Sequence, residues 1–405
     1  MSAVVTGVGV AAPTGLGTED HWQATLRGGS GIGPVKRFDA SGYPSRLAGE
    51  VPGFQVADHV PSRLIPQTDQ VTRLALAAGA FALSDAGVDP SQLPEYDMGV
   101  ATASASGGFE YGHRELQNLW AQGPDHVSAY QSFAWFYAVN TGQLSIRYGM
   151  RGPGSVLVSE QAGGLDAIAQ ARRGVRKGVP LMVTGGMDAS VCPWGWAMQL
   201  KSGRLSTRDD ASRAYLPFDT DACGFVPGEG GAILVVEDAE TAQQRSAPRV
   251  YGVIAGYAAT FDPAPGSGRE SGLGRAAKLA LADAGLAAGD IDVVFADAAG
   301  VPELDRIEAA TISGLFGPRG VPVTAPKTMT GRLYSGGAAL DVVTALLSIR
   351  DQVIPPTINV TRPVPGDELD LVLGEPREAA ITDVLVLARG HGGFNSAMVI
   401  RGTDV

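Results

Sequence analysis

The sequence is poor in the side chains that usually carry chemistry, with 2 cysteines and 5 histidines among 405 residues, and it has no surplus of positive charge. Cys192 and Cys223 cannot form a disulfide framework, and neither belongs to a C-x-x-C or metal-spaced cluster, so a stapled secreted domain and a Cys/His metal centre are not expected. Both read as small buried hydrophobes in a reducing compartment. A formal net charge of −11 lacks the field that attracts nucleic acid or anionic lipid, so neither is expected as a partner. No apolar run approaches the ~20 residues that span a bilayer. Met1 to Val10 carries no basic residue ahead of its apolar ones, so a secretory leader is not expected and a cytoplasmic location is.

What is abundant is small and apolar. With 44% hydrophobic residues, only 7% aromatics and 55 glycines, packing must rest on Ala, Val, Leu and Gly, which favours close helix-on-sheet layers. The length suits two units of about 200 residues, and the pattern repeats. Val4 to Val10 and Val250 to Gly256 each read as a buried opening strand. Ala82-Leu83-Ser84-Asp85-Ala86-Gly87-Val88 matches Ala280-Leu281-Ala282-Asp283-Ala284-Gly285-Leu286, each a helix end with a glycine cap that leads into a short strand. Strand Ser155 to Val158 followed by Ala162-Gly163-Gly164-Leu165-Asp166 matches strand Val321 to Thr324 followed by Ser335-Gly336-Gly337-Ala338-Ala339-Leu340-Asp341. Two matches in the same order indicate duplication into two α/β halves packed face to face, residues 1–245 and 246–405, joined through the polar stretch Glu237 to Pro248. In each half a loop enters a helix N-terminus, where unpaired N–H groups and the helix dipole favour negative charge, and Gln161 stands at the first of these.

Several segments together carry a family resemblance: Val4 to Pro13, Ser30-Gly31-Ile32-Gly33-Pro34, Arg37-Phe38-Asp39-Ala40-Ser41, and Pro217-Phe218-Asp219 with Gly224 to Gly230. Lys327-Thr328-Met329-Thr330-Gly331 and Gly392-Gly393-Phe394-Asn395 complete the set. In this order they resemble the β-ketoacyl synthase family over nearly the whole chain. The resemblance implies the thiolase fold, an α/β architecture of two pseudo-symmetric halves layered α-β-α-β-α.

Condensing members of that family need a cysteine thiolate at a helix N-terminus to accept the acyl chain. The matching position is Gln161, whose amide nitrogen is delocalised into its carbonyl and cannot form a thioester. The two histidines that such enzymes use on the thioester and the malonyl extender match Ala299 and Arg332. Glu308 and Lys327, a structural pair in the family, remain. The five histidines, His21, His59, His113, His126 and His391, lie off the reactive positions and read as surface or packing residues. No catalytic residue and no metal ligand is expected.

Glutamine for cysteine with both histidines lost resembles the chain length factors, the ketosynthase β subunits of type II aromatic polyketide synthases. This resemblance implies a heterodimer with a catalytic ketosynthase α subunit and an acyl carrier protein whose phosphopantetheine arm delivers malonyl units. It also implies a poly-β-ketone held in an interface tunnel, with no cofactor bound by this chain itself. Eight of the 27 aromatics fall between Phe109 and Tyr137, a density that suits an interface core or a cavity wall. Phe109, Gly112 or His113, Leu116 and Trp120 recur at helical spacing, which by itself reads as an ordinary buried helix, whereas the resemblance makes Phe109, Gly112, Leu116 and Phe133 candidates for tunnel-lining or gating. Two alternatives stay open: a malonyl-carrier decarboxylase acting through Gln161, and a purely structural partner of the catalytic subunit. The run Arg172, Arg173, Arg176 and Lys177 reads as a solvated helix face, with carrier docking as its other reading.

Overall fold

A computed structural model describes residues 2–264 and 266–403. Valine-rich segments with little charge form strands buried along their length, and alanine-rich segments form the helices that cover them. In chain order the elements that position the site are strand β1 (Ala3–Ala12), helix α1 (Gln70–Asp85), β2 (Met98–Ala103), α2 (Phe109–Gln122), β3 (Gly154–Leu157), α3 (Gly163–Arg176), β4 (Leu181–Asp188) and β5 (Gly230–Asp238). The second half supplies β6 (Gly252–Phe261), α4 (Leu273–Ala284), β7 (Val293–Phe295), α5 (Pro302–Phe316), β8 (Pro322–Thr324), α6 (Ser335–Asp351), β9 (Asp383–Arg389) and β10 (Phe394–Arg401).

The strands run in the order β3-β2-β4-β5-β1 in the first half and β8-β7-β9-β10-β6 in the second. The senses match as well: β2 is parallel to β3 and β4 while β4-β5-β1 is antiparallel, and β7 is parallel to β8 and β9 while β9-β10-β6 is antiparallel. The same topology twice is the duplication in physical form. The halves are also hydrogen-bonded to each other, through antiparallel pairing of Val4 with Val253 and Val5 with Gly252. Helices α3 and α6 lie in the middle, each touching strands of both halves, with α1 outside one sheet and α4 outside the other, which gives the α-β-α-β-α layering.

Glycine makes these layers close. A Cβ on Gly9 would stand 2.0 Å from the Ala78 carbonyl oxygen of α1, and one on Gly256 would stand 2.1 Å from the Ala280 carbonyl oxygen of α4. Larger residues at these positions would push helix and strand apart. From Ser335 to Ser348 every residue of α6 is buried, as expected of a helix enclosed on all sides.

Two expectations change in detail. The helix-ending repeats do not lead straight into strands: Gly87 and Gly285 both take left-handed φ values, 63° and 69°, but β2 begins only at Met98 and β7 only at Val293. Pro90 and Pro94 lack the N–H a ladder requires, so the first connection coils into short 3₁₀ turns before the strand can start. The polar stretch after Glu237 is no open linker. Asp238 caps a short helix, Ala239–Gln244, by accepting from Glu240 N at 3.1 Å, and Arg245 returns to the buried Glu237 at 2.6 Å.

Candidate functional site

Helix α3 is entered through a short turn, Glu160–Ala162, in which Glu160 takes a left-handed φ of 52°. Its carboxylate accepts from the backbone N–H groups of Gln161 and His391, both at 2.9 Å, which holds the strained turn against the loop after β9. Gln161 follows and is completely buried, and neither polar atom of its carboxamide has a hydrogen-bond partner among the described residues. It lies against the start of α6, where a Cβ on Gly337 would come within 2.7 Å of Gln161 Nε2. A sealed, unpaired amide at a helix N-terminus can neither attack an acyl carbonyl nor be reached by one.

Beyond β7 the chain turns sharply, with Ala298 and Gly300 at left-handed φ values of 49° and 70°. The turn is held by carboxylates, since Glu308 accepts from Asp297 N at 2.6 Å and Ala298 N at 2.8 Å, and Asp305 accepts from Gly300 N at 3.0 Å. Ala299 sits in this turn and offers only a methyl group. Arg332 is 4% exposed and fills the other histidine-equivalent position. It donates to both Asp297 carboxylate oxygens at 3.1 and 3.2 Å, to the Asp297 carbonyl at 3.3 Å and to the Arg389 carbonyl at 2.7 Å. Burial works against its charge, but the negative charges of Asp297 and Glu160 outweigh that and hold the guanidinium above its usual range. The position therefore holds a fixed cation with no proton to exchange.

The expected Glu308–Lys327 pair is not formed. Lys327 Nζ meets Asp341 at 2.9 Å and donates to the Ala296 carbonyl, while Glu308 is spent on the two backbone N–H groups. Burial, with the Asp297 charge adding to it, pushes the Glu308 carboxyl up to about 7 against those two bonds. The signal for Asp341 was present in the repeat, as the counterpart of Asp166, which accepts from Tyr257 Oη at 2.7 Å and from Ser159 and Ser396. Asp166 lies in the first turn of α3 and Asp341 in the second turn of α6, so each anchors the N-terminal part of a central helix.

A cavity of about 500 Å³ opens beside this turn, lined by Phe109, Ala299, Arg332, Tyr334, Arg389 and His391 among others. Ala299 and Arg332 are thus brought together with Phe109, whereas Gln161 is not part of the wall. Phe109 stacks on Trp194, with ring centroids 4.9 Å apart and planes 18° from parallel. Gly112 lies under the same indole, where a Cβ would stand 2.9 Å from Trp194 Cζ3. Leu116 is exposed and shares a separate shallow depression with Trp120 and Trp194, and Phe133 packs edge-on against Tyr130 at 5.9 Å. Within this chain the four tunnel candidates do not share one wall. Sequence spacing gave no signal for Trp194 or His391, because both reach the region from elements far away along the chain.

Other assignments also shift. Cys192 is buried, and burial pushes its thiol up to about 11, but Cys223 is exposed, with Ser206 Oγ 3.3 Å from its sulfur. His21 is the one fully packed histidine, held between Thr14 Oγ1 at 2.6 Å and Thr344 Oγ1 at 3.1 Å and pushed down to about 4 by burial. Arg172 does not belong to a solvated face. It is buried, pairs with Asp283 at 2.5 Å and also donates to the Ala255 carbonyl, so it ties α3 to the second half. No helix among the described residues is long and apolar enough to cross a membrane, and no group of three or more His, Cys, Asp or Glu among them is placed to hold a metal.

Comparison with known proteins accords with this geometry. The family models for the β-ketoacyl synthase N-terminal and C-terminal domains match residues 2–242 and 251–361. The chain is 61% identical to the actinorhodin polyketide beta-ketoacyl synthase 2 of Streptomyces coelicolor, over 99% of this chain and 98% of that protein. It is also 61% identical to the tetracenomycin polyketide synthase ketoacyl synthase beta subunit of Streptomyces glaucescens, over 98% of each chain. The solved ishigamide ketosynthase/chain length factor superposes with a TM-score of 0.91 at 28% identity, covering 100% of this chain and 99% of that one. The retained fold, the vacated reactive positions and these similarities together show that the chain belongs to the β-ketoacyl synthase family, as a ketosynthase β subunit, or chain length factor, of the type II aromatic polyketide synthases.

Proposed function

We propose that this chain performs no condensation and instead pairs with a catalytic ketosynthase, limiting the length of the poly-β-ketone through the space that its Phe109 to Tyr137 region leaves at the interface. The observation that carries this reading is a contrast of exposure. The reactive positions are filled by a sealed amide, a methyl group and an ion-paired guanidinium, while Leu116, Trp120, Tyr130, Trp135, Phe136 and Tyr137 stand exposed on one short stretch. Single exposed apolar residues are ordinary, but a cluster of this size on one segment marks a surface that another protein covers. An acyl carrier protein would bring malonyl units to the catalytic partner on its phosphopantetheine arm, so this chain needs no cofactor of its own.

Decarboxylation through Gln161 lacks a geometric basis, because the carboxamide is buried and does not face the cavity. Reconstitution with the catalytic subunit and malonyl-carrier protein tests the proposal. Phe109→Ala removes the ring at the junction of cavity and aromatic segment and should shift the main product to a longer chain. An unaltered product spectrum would leave only a folding-partner role.

A further inference from the structure

Helix α2, which carries Phe109, Gly112 and Leu116, does not cap itself. Its N-cap residue is Gly108, which has no side chain to accept from the first free N–H groups. The missing acceptor comes from forty residues earlier in the chain. Asp69 is buried and is the N-cap of α1, where Oδ1 accepts from Val71 N at 3.0 Å. Its other oxygen, Oδ2, accepts from Tyr111 N in the first turn of α2 at 2.6 Å. One carboxylate therefore begins two helices.

The start of α2 has little freedom around this contact. A Cβ on Gly108 would stand 2.9 Å from Asp69 Cβ and 2.0 Å from the Ala134 carbonyl oxygen, so the backbone is pressed between Asp69 and the aromatic segment. Arg37 adds a second tether, pairing with Glu110 at 2.7 Å and with the buried Glu229 at 3.2 Å. Phe109 lies between the two anchored residues, Gly108 and Glu110, and stacks on Trp194. Because a helix moves as a rigid unit, its first turn fixes the placing of Phe109, Gly112 and Leu116 together.

We infer that Asp69 is a positioning residue for chain-length selection: by capping α1 and α2 with its two oxygens, it references the helix of the proposed gate to the core of the first half. The inference rests on the function proposed above. It differs from a general stability role in predicting a change in the ratio of products and not only in their amount.

The test uses the heterodimer of the full chain with its catalytic ketosynthase, supplied with malonyl-carrier protein. In Asp69→Asn one oxygen becomes an NH₂ group that cannot accept from an N–H. The ratio of off-length to main product should rise about two- to five-fold, the shift that a weakened charged cap permits. Asp69→Ser is the second variant, because serine still caps α1 but is too short to reach Tyr111 N, and it should alter the same ratio if Asp69→Asn fails to fold. Asp85→Asn is the control: Asp85, at the far end of α1, accepts from Val8 N at 2.9 Å and should leave the ratio unchanged. An unchanged ratio in folded Asp69→Asn or Asp69→Ser, alongside an altered one in Phe109→Ala, overturns the inference alone. If Phe109→Ala is also without effect, the proposed function falls with it.

Discussion

The chamber around Arg332 and the segment from Phe109 to Tyr137 lie within one molecule, and Phe109 belongs to both, yet they treat their surroundings in opposite ways. In the chamber, charge is turned inward: Arg332 is spent on Asp297 and the Arg389 carbonyl, Lys327 on Asp341, and Glu308 on two backbone N–H groups. In the segment, apolar surface is turned outward, with Trp120 84% exposed and Trp135, Phe136 and Tyr137 each about two-fifths exposed. A buried charge that loses its reaction must find a fixed partner or destabilise the fold, whereas an exposed aromatic is tolerable only if something else covers it. The contrast is what the proposed function needs: a chamber whose charges are paired within the chain and a segment left for a partner to cover.

Breaking the chamber should cost most. Asp297→Ala leaves the Arg332 guanidinium buried and unpaired, and chemical denaturation should show a loss of about 3–5 kcal/mol. A loss below about 1 kcal/mol would mean that water or Glu160 replaces the partner and that the ion pair is not structural. The segment should behave differently. Trp120→Ala should leave the chain folded but weaken association with the catalytic subunit by about 2 kcal/mol, roughly 30-fold in Kd, measured by titration of the purified subunits. Unaltered affinity would remove Trp120 from the interface.

The sealed carboxamide of Gln161, behind the chamber, gives a test of opposite sign. Gln161→Met keeps the approximate volume and removes two unsatisfied polar atoms, so stability should rise by about 1–2 kcal/mol. A fall would reveal a partner for the carboxamide in the complex. The smallest effect is one of pH. Burial raises Asp188 to about 6, outweighing its bonds from Ala105 N, Ser104 Oγ, Ser106 N and Ser335 N, so the folded chain holds this proton more tightly than the unfolded chain does. That contribution is complete below about pH 4 and is lost as pH climbs through about 6, so the chain should be about 1 kcal/mol more stable at pH 5 than at pH 7. Asp188→Asn should flatten this slope in pH-dependent denaturation, and an unchanged slope would place the linked proton elsewhere.

Much of this was legible in the residues. The paired Gly-Gly segments ending in Leu-Asp and the Asp-Ala-Gly repeats indicated a duplicated fold because close helix packing demands small residues where elements touch, and that demand is local. The missing thiol and imidazoles were equally plain at Gln161, Ala299 and Arg332. The partners were not legible. Lys327 was expected to meet Glu308 and met Asp341, Arg172 was expected in solvent and spans the two halves, and Cys223 was expected inside and lies outside.

What the sequence alone determined is which side chains stand at the matching positions, since the absence of a thiol or an imidazole there is a property of atoms and needs no coordinates. The tertiary structure alone decided what became of the vacated positions. Arg332 is neutralised by a carboxylate 35 positions away and held by a backbone carbonyl 57 positions away, and the helix bearing Phe109 is started by a carboxylate 42 positions before Tyr111. Burial and charge pairing depend on distance in space, and only the packed sheets and helices set those distances.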